Sequence, residues 1–322
     1  MKKIMAIAMA AIMLLSMAAC SSAPAAADGT YTIGICQLVQ HPALDEATRG
    51  FKEAVEAGLG KNNVTFMEEN ASGETTNCTS IMTSFVSADV DLIMANATPA
   101  VAAAYNATEI IPILGTSVTE YGVALGIENF SGTVGGNVSG TSDLAPLDVQ
   151  AQMILDWVPN AKKVALLFCS TEPNSQYQVD EVQKYLEGKG IQCQQFAFSD
   201  ATNMNAVTQS AADFADAIYI PTDNTAATYA TAIDEICQPA GVPIIAGEAG
   251  ICASCGIATL SIDYYDLGWK TGEMAVVILK NGADISTMAI EYTPEEKLKK
   301  VYNEEICKAL GITPLEGYEK LS

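Results

Sequence analysis

Hydroxyl, amide and carboxylate side chains that directly follow apolar segments are the residues of this chain best suited to hold a small charged molecule. Thr98 comes after the apolar segment DLIMAN and precedes Pro99, a residue favoured in the first turn of a helix. A hydroxyl and free backbone N–H groups at a helix start can donate to a carboxylate. We therefore predict that Thr98 binds a carboxylate, with simple helix capping as the alternative.

An acidic side chain takes the corresponding place in the second half of the chain. When the two halves are aligned, Asp223 lies opposite Thr98, and Asn224 follows it. A carboxylate here could accept an ammonium group, while the neighbouring amide fixes its orientation. Asn174 and Ser175 follow the first apolar segment of the second half and could contact the same polar group. Helix capping remains the alternative for all four side chains.

Five further side chains are candidates for the same site. Gln37 holds the first-half position that corresponds to Asn174. Glu248 and Asp263 each end an apolar segment and could supply a second acceptor for an ammonium group. Asp143 lies in a polar segment between the halves, where it either contacts the ligand or orders the connection. Tyr264 could stack on an aromatic side chain, or simply pack.

Catalytic chemistry finds little support. The chain has one histidine, no GxSxG nucleophile motif and no His/Glu metal cluster, so we expect no enzyme activity, no metal and no cofactor. Cys252 and Cys255 have the spacing of a redox pair, which leaves thiol-disulfide exchange as an alternative. The glycines around them indicate a tight turn, and a local disulfide or free thiols are the other interpretation.

Apolar strands alternate with amphipathic helices in one order that occurs twice. This alternation predicts two doubly wound α/β lobes with parallel sheets covered on both faces. The predicted strands are 32–37, 63–70, 91–96 and 111–115 in the first half, and 163–169, 191–198, 216–221 and 242–247 in the second. The predicted helices are 44–58, 75–87, 98–108, 175–188, 203–214 and 224–237.

The chain continues beyond the second repeat with a strand at 256–263, a helix at 265–282, a strand at 288–292 and a helix at 303–311. These elements could cross between the lobes and form a multi-strand hinge. We predict a first lobe from residues 31–143 plus 264–285 and a second from 144–263 plus 286–322. Two lobes joined in this way can close around a small solute.

The N-terminus has the pattern of a bacterial lipoprotein signal. Lys2 and Lys3 precede a short apolar run, and small residues precede Cys20, which is the expected lipid-attachment site. We predict a signal peptide at 1–20 and a Ser/Ala/Pro-rich tether at 21–30. The protein is then extracytoplasmic and lipid-anchored; a plain secretory signal is the alternative.

The charge balance restricts the possible partners. The chain carries 38 acidic and 16 basic side chains, a net charge of −22. A surface this acidic repels phosphate backbones and anionic lipid, so we expect no nucleic-acid partner and membrane attachment through Cys20 alone. The eight other cysteines permit disulfides without fixing their pairing.

Six ordered motifs carry a family resemblance over nearly all of the chain that follows the signal. They lie at residues 33–54, 95–100, 136–143, 172–175, 220–225 and 261–268. With these motifs the sequence resembles the ABC-transporter substrate-binding lipoproteins of the tryptophan/tyrosine-binding type, which have a type I periplasmic-binding fold.

The resemblance implies a monomeric, non-enzymatic receptor that captures an amino acid, aromatic or otherwise bulky and apolar, and delivers it to an ABC permease and its ATPase. Capture of a sugar or a nucleoside by the same fold is the alternative. A sugar-binding protein would be expected to stack pyranose rings on tryptophan, whereas Trp157 and Trp269 fall at packing positions of predicted helices.

Overall fold

The structure, a computed structural model, describes residues 30–321. The predicted signal peptide, Cys20 and most of the predicted tether therefore lie outside the described residues. The first part of the chain contains β1 (Tyr31–Gln37), α1 (Pro42–Leu59), β2 (Val64–Asn70), α2 (Thr75–Ser87), β3 (Leu92–Asn96), α3 (Thr98–Ala107), β4 (Ile113–Val118), α4 (Tyr121–Leu125) and β5 (Val138–Ser142).

The remainder begins with α5 (Leu147–Trp157), β6 (Lys163–Cys169), α6 (Pro173–Gly188), β7 (Gln192–Phe198), α7 (Ala201–Phe214), β8 (Ala217–Ile220), α8 (Asn224–Ala240) and β9 (Ile244–Ala246). It ends with α9 (Ala249–Ser254), β10 (Ala258–Ser261), α10 (Tyr264–Asn281), β11 (Glu291–Tyr292), β12 (Lys299–Tyr302), α11 (Glu304–Ala309) and β13 (Glu319–Lys320).

The strands form two separate sheets with the same core topology. The first has the order β11-β5-β4-β3-β1-β2 and the second β13-β12-β10-β9-β8-β6-β7. Counted within each half, both follow the doubly wound order 2-1-3-4-5. All strand pairs are parallel except β10 with β12, which is antiparallel. The predicted α/β class with two doubly wound lobes is confirmed.

Apolar side chains cover both faces of each sheet. In the first lobe one cluster surrounds Phe85 and Tyr121, and the other joins Phe51 of α1 to Met274 of α10. Two further clusters cover the faces of the second sheet. This burial on both faces explains why the strands read as continuous apolar runs.

Three segments connect the lobes, after β5, after β10 and after β11. The helix that follows β10, α10, returns to the first lobe and packs on α1. Glycine permits this close packing: a Cβ on Gly268 would lie 1.9 Å from the carbonyl oxygen of Ala47.

The lobe bounds predicted from the sequence remain a prediction. Glu291 and Tyr292, however, pair with β5 in the first sheet, so the chain crosses after them.

Several short elements were not predicted from the sequence. Strand β4 continues to Val118, three residues beyond the predicted end, and β5, α4, α9, β12 and β13 had no counterpart. The longer helix α5 was also not predicted. Of the predicted strand at 288–292, only Glu291 and Tyr292 pair. Within the described part of the chain, no helix has both the length and the apolar character needed to cross a membrane.

Candidate functional site

The candidate site lies where the carboxyl ends of the two sheets face each other. His41, at the start of α1 in the first lobe, contacts Asn224 at the start of α8 in the second, with 3.3 Å between Nε2 and Oδ1. Both strand ends and helix starts therefore meet in one cleft. Ligands of doubly wound folds bind at this position, because the helix starts present free N–H groups.

Thr98 is the first residue of α3, as predicted, and only 2% of its surface is exposed. Its hydroxyl makes no hydrogen bond to any residue between 30 and 321. The preceding residue, Ala97, has φ = 94°, a backbone conformation that is costly for a residue with a Cβ. The start of α3 therefore offers a hydroxyl donor at a strained strand end.

Asp143 directly follows β5 and is 3% exposed. Its Oδ2 accepts a hydrogen bond from the Tyr264 hydroxyl at 2.9 Å, which links the first connecting segment to α10. Its Oδ1 is buried and has no hydrogen-bond partner among the described residues. Half of this carboxylate is therefore available to another molecule.

Burial raises the pKa of Asp143 to about 6, because an ionised carboxylate is poorly solvated there. The hydrogen bond from Tyr264 acts in the opposite direction, and the nearby Glu248 carboxylate adds to the rise. None of the ion pairs within residues 30–321 includes Asp143 or Glu248. The cleft therefore holds buried negative charge that a cationic group would stabilise.

Asp223 is buried, but its carboxylate is already bound. Oδ1 accepts the N–H of Ala226 and Oδ2 accepts the N–H of Cys169, both at 2.7 Å. Burial and the neighbouring Glu172 carboxylate raise the pKa of Asp223. The first contact caps α8 and the second ties Asp223 to the end of β6. The predicted ammonium-binding role of Asp223 stays a prediction.

Asn224 also uses its polar atoms within the protein. Its Nδ2 donates to Glu172 at 2.6 Å, and its backbone N–H donates to the same carboxylate at 3.0 Å. Because Nδ2 donates to Glu172, Oδ1 is the atom left to accept from His41. Asn224 therefore joins the lobes, and its role as a direct ligand contact stays a prediction.

Asn174 and Ser175 lie in the first turn of α6. Asn174 is 2% exposed, and its Nδ2 donates to the Thr222 carbonyl oxygen at 3.1 Å. Its Oδ1 is buried without a partner among the described residues. Ser175 is fully buried against the Asp223 carboxylate. Asn174 therefore keeps an acceptor for the cleft, whereas Ser175 is engaged inside the second lobe.

The structure places three other predicted residues in different surroundings. Glu248 is buried and caps α9, accepting the N–H of Gly250 at 2.6 Å. Gln37 donates to Asp45 at 2.6 Å, inside the first lobe. Asp263 is exposed and lines a separate cavity of about 520 Å³ beside the connecting segments. Ligand contact by these three side chains stays a prediction.

Backbone and side-chain contacts connect the residues that carry free polar atoms. The Asp143 N–H donates to the Val118 carbonyl oxygen at 3.2 Å, beside Ser117. Tyr264 joins Asp143 to the neighbourhood of Thr222, whose carbonyl oxygen accepts from Asn174. Ser117, like Asp143 and Asn174, has a buried polar side-chain atom without a partner among residues 30–321.

Ser117 was missed in the sequence analysis. The predicted strand ended at Gly115, so the hydroxyl residues after it were not considered as strand-end candidates. The hydroxyl at the end of an apolar segment was the available signal, and extending the strand to Val118 would have identified it.

An open cavity of about 470 Å³ lies between the lobes beside Asn224, and its lining does not include Thr98, Ser117, Asp143 or Asn174. Leu38, Val39 and Pro99 form part of its wall from the first lobe, and Glu172 and Tyr229 from the second. This volume is within the usual range of small-molecule sites.

The cysteine pair offers little for redox chemistry. Cys252 and Cys255 are free thiols that are 0% and 2% exposed. Burial raises the pKa of both thiols, which disfavours the reactive thiolate. Cys252 lies inside α9 rather than in the predicted tight turn.

Two doubly wound lobes that face each other across a buried polar cleft define a solute-binding fold. The family model described as "ABC transporter substrate binding protein" matches residues 32–320. The chain belongs to this family, which is a class of solute-binding proteins.

Known relatives show the same similarity. A tyrosine-binding protein of Clostridioides difficile (strain R20291) is 35% identical over 287 residues, which cover 88% of this chain and 82% of the relative. An ABC domain from Streptococcus pneumonia in complex with L-Trp has a TM-score of 0.85 and 29% identity, covering 91% of this chain and 99% of the neighbour.

A ligand-free, open substrate-binding protein with adhesive properties from Clostridium difficile has a TM-score of 0.69 at 35% identity, with the same coverage of 91% and 99%. This chain is therefore more similar in overall structure to the L-Trp complex than to the open protein, although the open protein is closer in sequence.

Proposed function

We propose that this protein is the extracytoplasmic receptor of an ABC importer and captures one L-amino acid with an aromatic or other bulky apolar side chain. The lobes close over the ligand, which stabilises the closed state by contacting both. Two observations support closure: the His41–Asn224 contact between the lobes, and the greater similarity to the L-Trp complex than to the open relative.

The observation that carries the proposal is the buried, half-unpartnered carboxylate of Asp143. An ionised carboxylate without a counter-charge is costly in the protein interior. The ammonium group of an amino acid would supply both the missing hydrogen bond and the missing charge. Asn174 Oδ1 offers a second acceptor, and the hydroxyl of Thr98 at the start of α3 suits the ligand carboxylate.

Sugars fit the site less well. Neither tryptophan of the chain is in the cleft: Trp157 packs edge-on against Tyr318 at 5.0 Å, and Trp269 lies on the outer side of α10 beside Tyr265 at 6.0 Å. A neutral sugar or nucleoside would also leave the Asp143 charge uncompensated. The buried thiols of Cys252 and Cys255 likewise disfavour thiol-disulfide exchange.

Relatives support an aromatic side chain, since one is named a tyrosine-binding protein and another is a complex with L-Trp. The family supports a permease and its ATPase as partners.

Lipid anchoring rests on the sequence around Cys20. A Cys20→Ser variant should move from the membrane fraction to the soluble fraction, and unchanged membrane association would contradict the anchor.

Thermal-shift screening with the twenty L-amino acids, glucose, myo-inositol and adenosine tests the ligand class. A ligand present at 100 times its Kd stabilises the bound protein by about 2.7 kcal/mol. We expect shifts with L-tyrosine or L-tryptophan. Shifts with a sugar or nucleoside, and none with any amino acid, would contradict the proposal.

A further inference from the structure

Ser117 has an unusual backbone conformation for its residue type. It is the second-to-last residue of β4, and its φ is 53°, in the left-handed region that favours glycine. The register between β4 and β5 also shifts between Gly115 and Val118. Such strain costs free energy and persists at positions where the surrounding structure or the function requires it.

The hydroxyl of Ser117 is buried, since the residue is 5% exposed, and Oγ has no hydrogen-bond partner among residues 30–321. Neighbouring hydroxyls are paired instead. Thr116 Oγ1 lies 3.2 Å from Thr141 Oγ1, and Ser142 Oγ donates to the Thr119 carbonyl oxygen at 2.7 Å. Ser117 therefore differs from these two paired hydroxyls of the adjoining strands.

Ser117 lies between the two parts of the candidate site in the first lobe. The residue before it, Thr116, accepts the N–H of Ala97 at 3.0 Å, beside the start of α3. The residue after it, Val118, accepts the N–H of Asp143 at 3.2 Å. The backbone on either side of Ser117 is therefore tied to the start of α3 and to Asp143.

We infer that the Ser117 hydroxyl donates a hydrogen bond to the carboxylate of the amino acid whose ammonium group Asp143 accepts. Ser117 Oγ and Asp143 Oδ1 lack partners and do not bond to each other. An α-amino acid satisfies both, because its carboxylate accepts from a hydroxyl and its ammonium group donates to a carboxylate. This inference rests on the proposed function.

The test compares Ser117→Ala and Ser117→Gly. Both remove the hydroxyl, but glycine also relieves the backbone strain. Titration calorimetry with L-tyrosine and L-tyrosinamide, and with L-tryptophan and L-tryptophanamide, measures how strongly each protein prefers a carboxylate to a neutral amide. Ser139→Ala is the matched control, because it removes a buried hydroxyl that donates to the Met288 carbonyl oxygen.

Both Ser117 variants should bind the amino acid at least about 10-fold more weakly and lose most of the preference for acid over amide. Ser139→Ala should keep that preference, and Ser117→Gly should melt above Ser117→Ala. Folded Ser117 variants could keep Kd values within threefold of wild type and an unchanged preference for acid over amide. That result would overturn this inference and leave the proposed function standing, and Ser117 would then bind only water. Wild-type protein that binds neither amino acid would overturn the proposed aromatic ligand as well.

Discussion

Asp143→Asn should change stability and ligand binding in opposite directions. The substitution keeps the shape of the side chain and an acceptor for the Tyr264 hydroxyl, but it removes the buried charge. The rise in the pKa of Asp143 from 3.8 to about 6 corresponds to about 3 kcal/mol of unfavourable free energy for the ionised form. Without ligand, the variant is therefore expected to be more stable than the wild type at neutral pH.

The sign of this effect depends on pH. The Asp143 carboxyl group loses its proton near pH 3.8 in the unfolded chain and near pH 6 in the folded protein. Between these values the folded state binds more protons, so the free energy of unfolding falls as pH rises. The variant should exceed the wild type by up to about 3 kcal/mol at pH 7.5 and by little below pH 4.

Ligand binding should weaken in the same variant. Removing one partner of a buried charged pair typically costs about 2 to 5 kcal/mol, or at least about 30-fold in Kd. Denaturant unfolding at two pH values and calorimetry with the best-bound amino acid measure both effects. Asp266→Asn, which removes an exposed carboxylate 3.6 Å from Lys297, is the control and should change neither. A destabilised Asp143→Asn variant with unchanged affinity would refute the assignment.

Three further predictions concern the same cleft. The Kd of the wild type should be constant from about pH 7 to about pH 8 and rise up to about tenfold per pH unit below about pH 6, because a proton then competes with the ammonium group for Asp143. A flat profile down to about pH 5 would contradict this. His41→Ala should raise the ligand dissociation rate about 3- to 10-fold in stopped-flow measurements, since it removes one hydrogen bond between the lobes; an unchanged rate would show that the contact does not hold the lobes together. Asp223→Ala should lower the free energy of unfolding by about 1 to 3 kcal/mol and leave the affinity within threefold, because both oxygens bind backbone N–H groups. A loss of affinity of about 30-fold in a folded variant would instead support the ammonium-binding role predicted from the sequence.

The fold was largely predictable because buried parallel strands and amphipathic helices have distinct sequence periods. Each long strand of the two repeats was placed within a few residues. Among the missed elements, α4 and α9 have five and six residues, too few to show a period. Their positions depend on tertiary contacts, as β11 shows by pairing with β5.

The site was only partly predictable. The position of a polar residue after a strand identifies a helix start, but it does not tell a cap from a ligand contact. Asp223 and Asp143 both follow strands, yet only the structure shows that the Asp223 oxygens bind N–H groups while one Asp143 oxygen is free. Ser117 has no sequence marker for its positive φ, because that conformation is imposed by the shift in register beside it.

A crystal structure of the protein grown with its best-bound amino acid tests most directly whether Asp143 is the ammonium acceptor. The ligand should lie between the lobes, with its nitrogen within about 3.2 Å of Asp143 Oδ1. Its carboxylate should lie near Thr98 and Ser117. A ligand whose ammonium group binds Asp223 or Glu248 instead, or one that lies outside the cleft, would contradict this assignment.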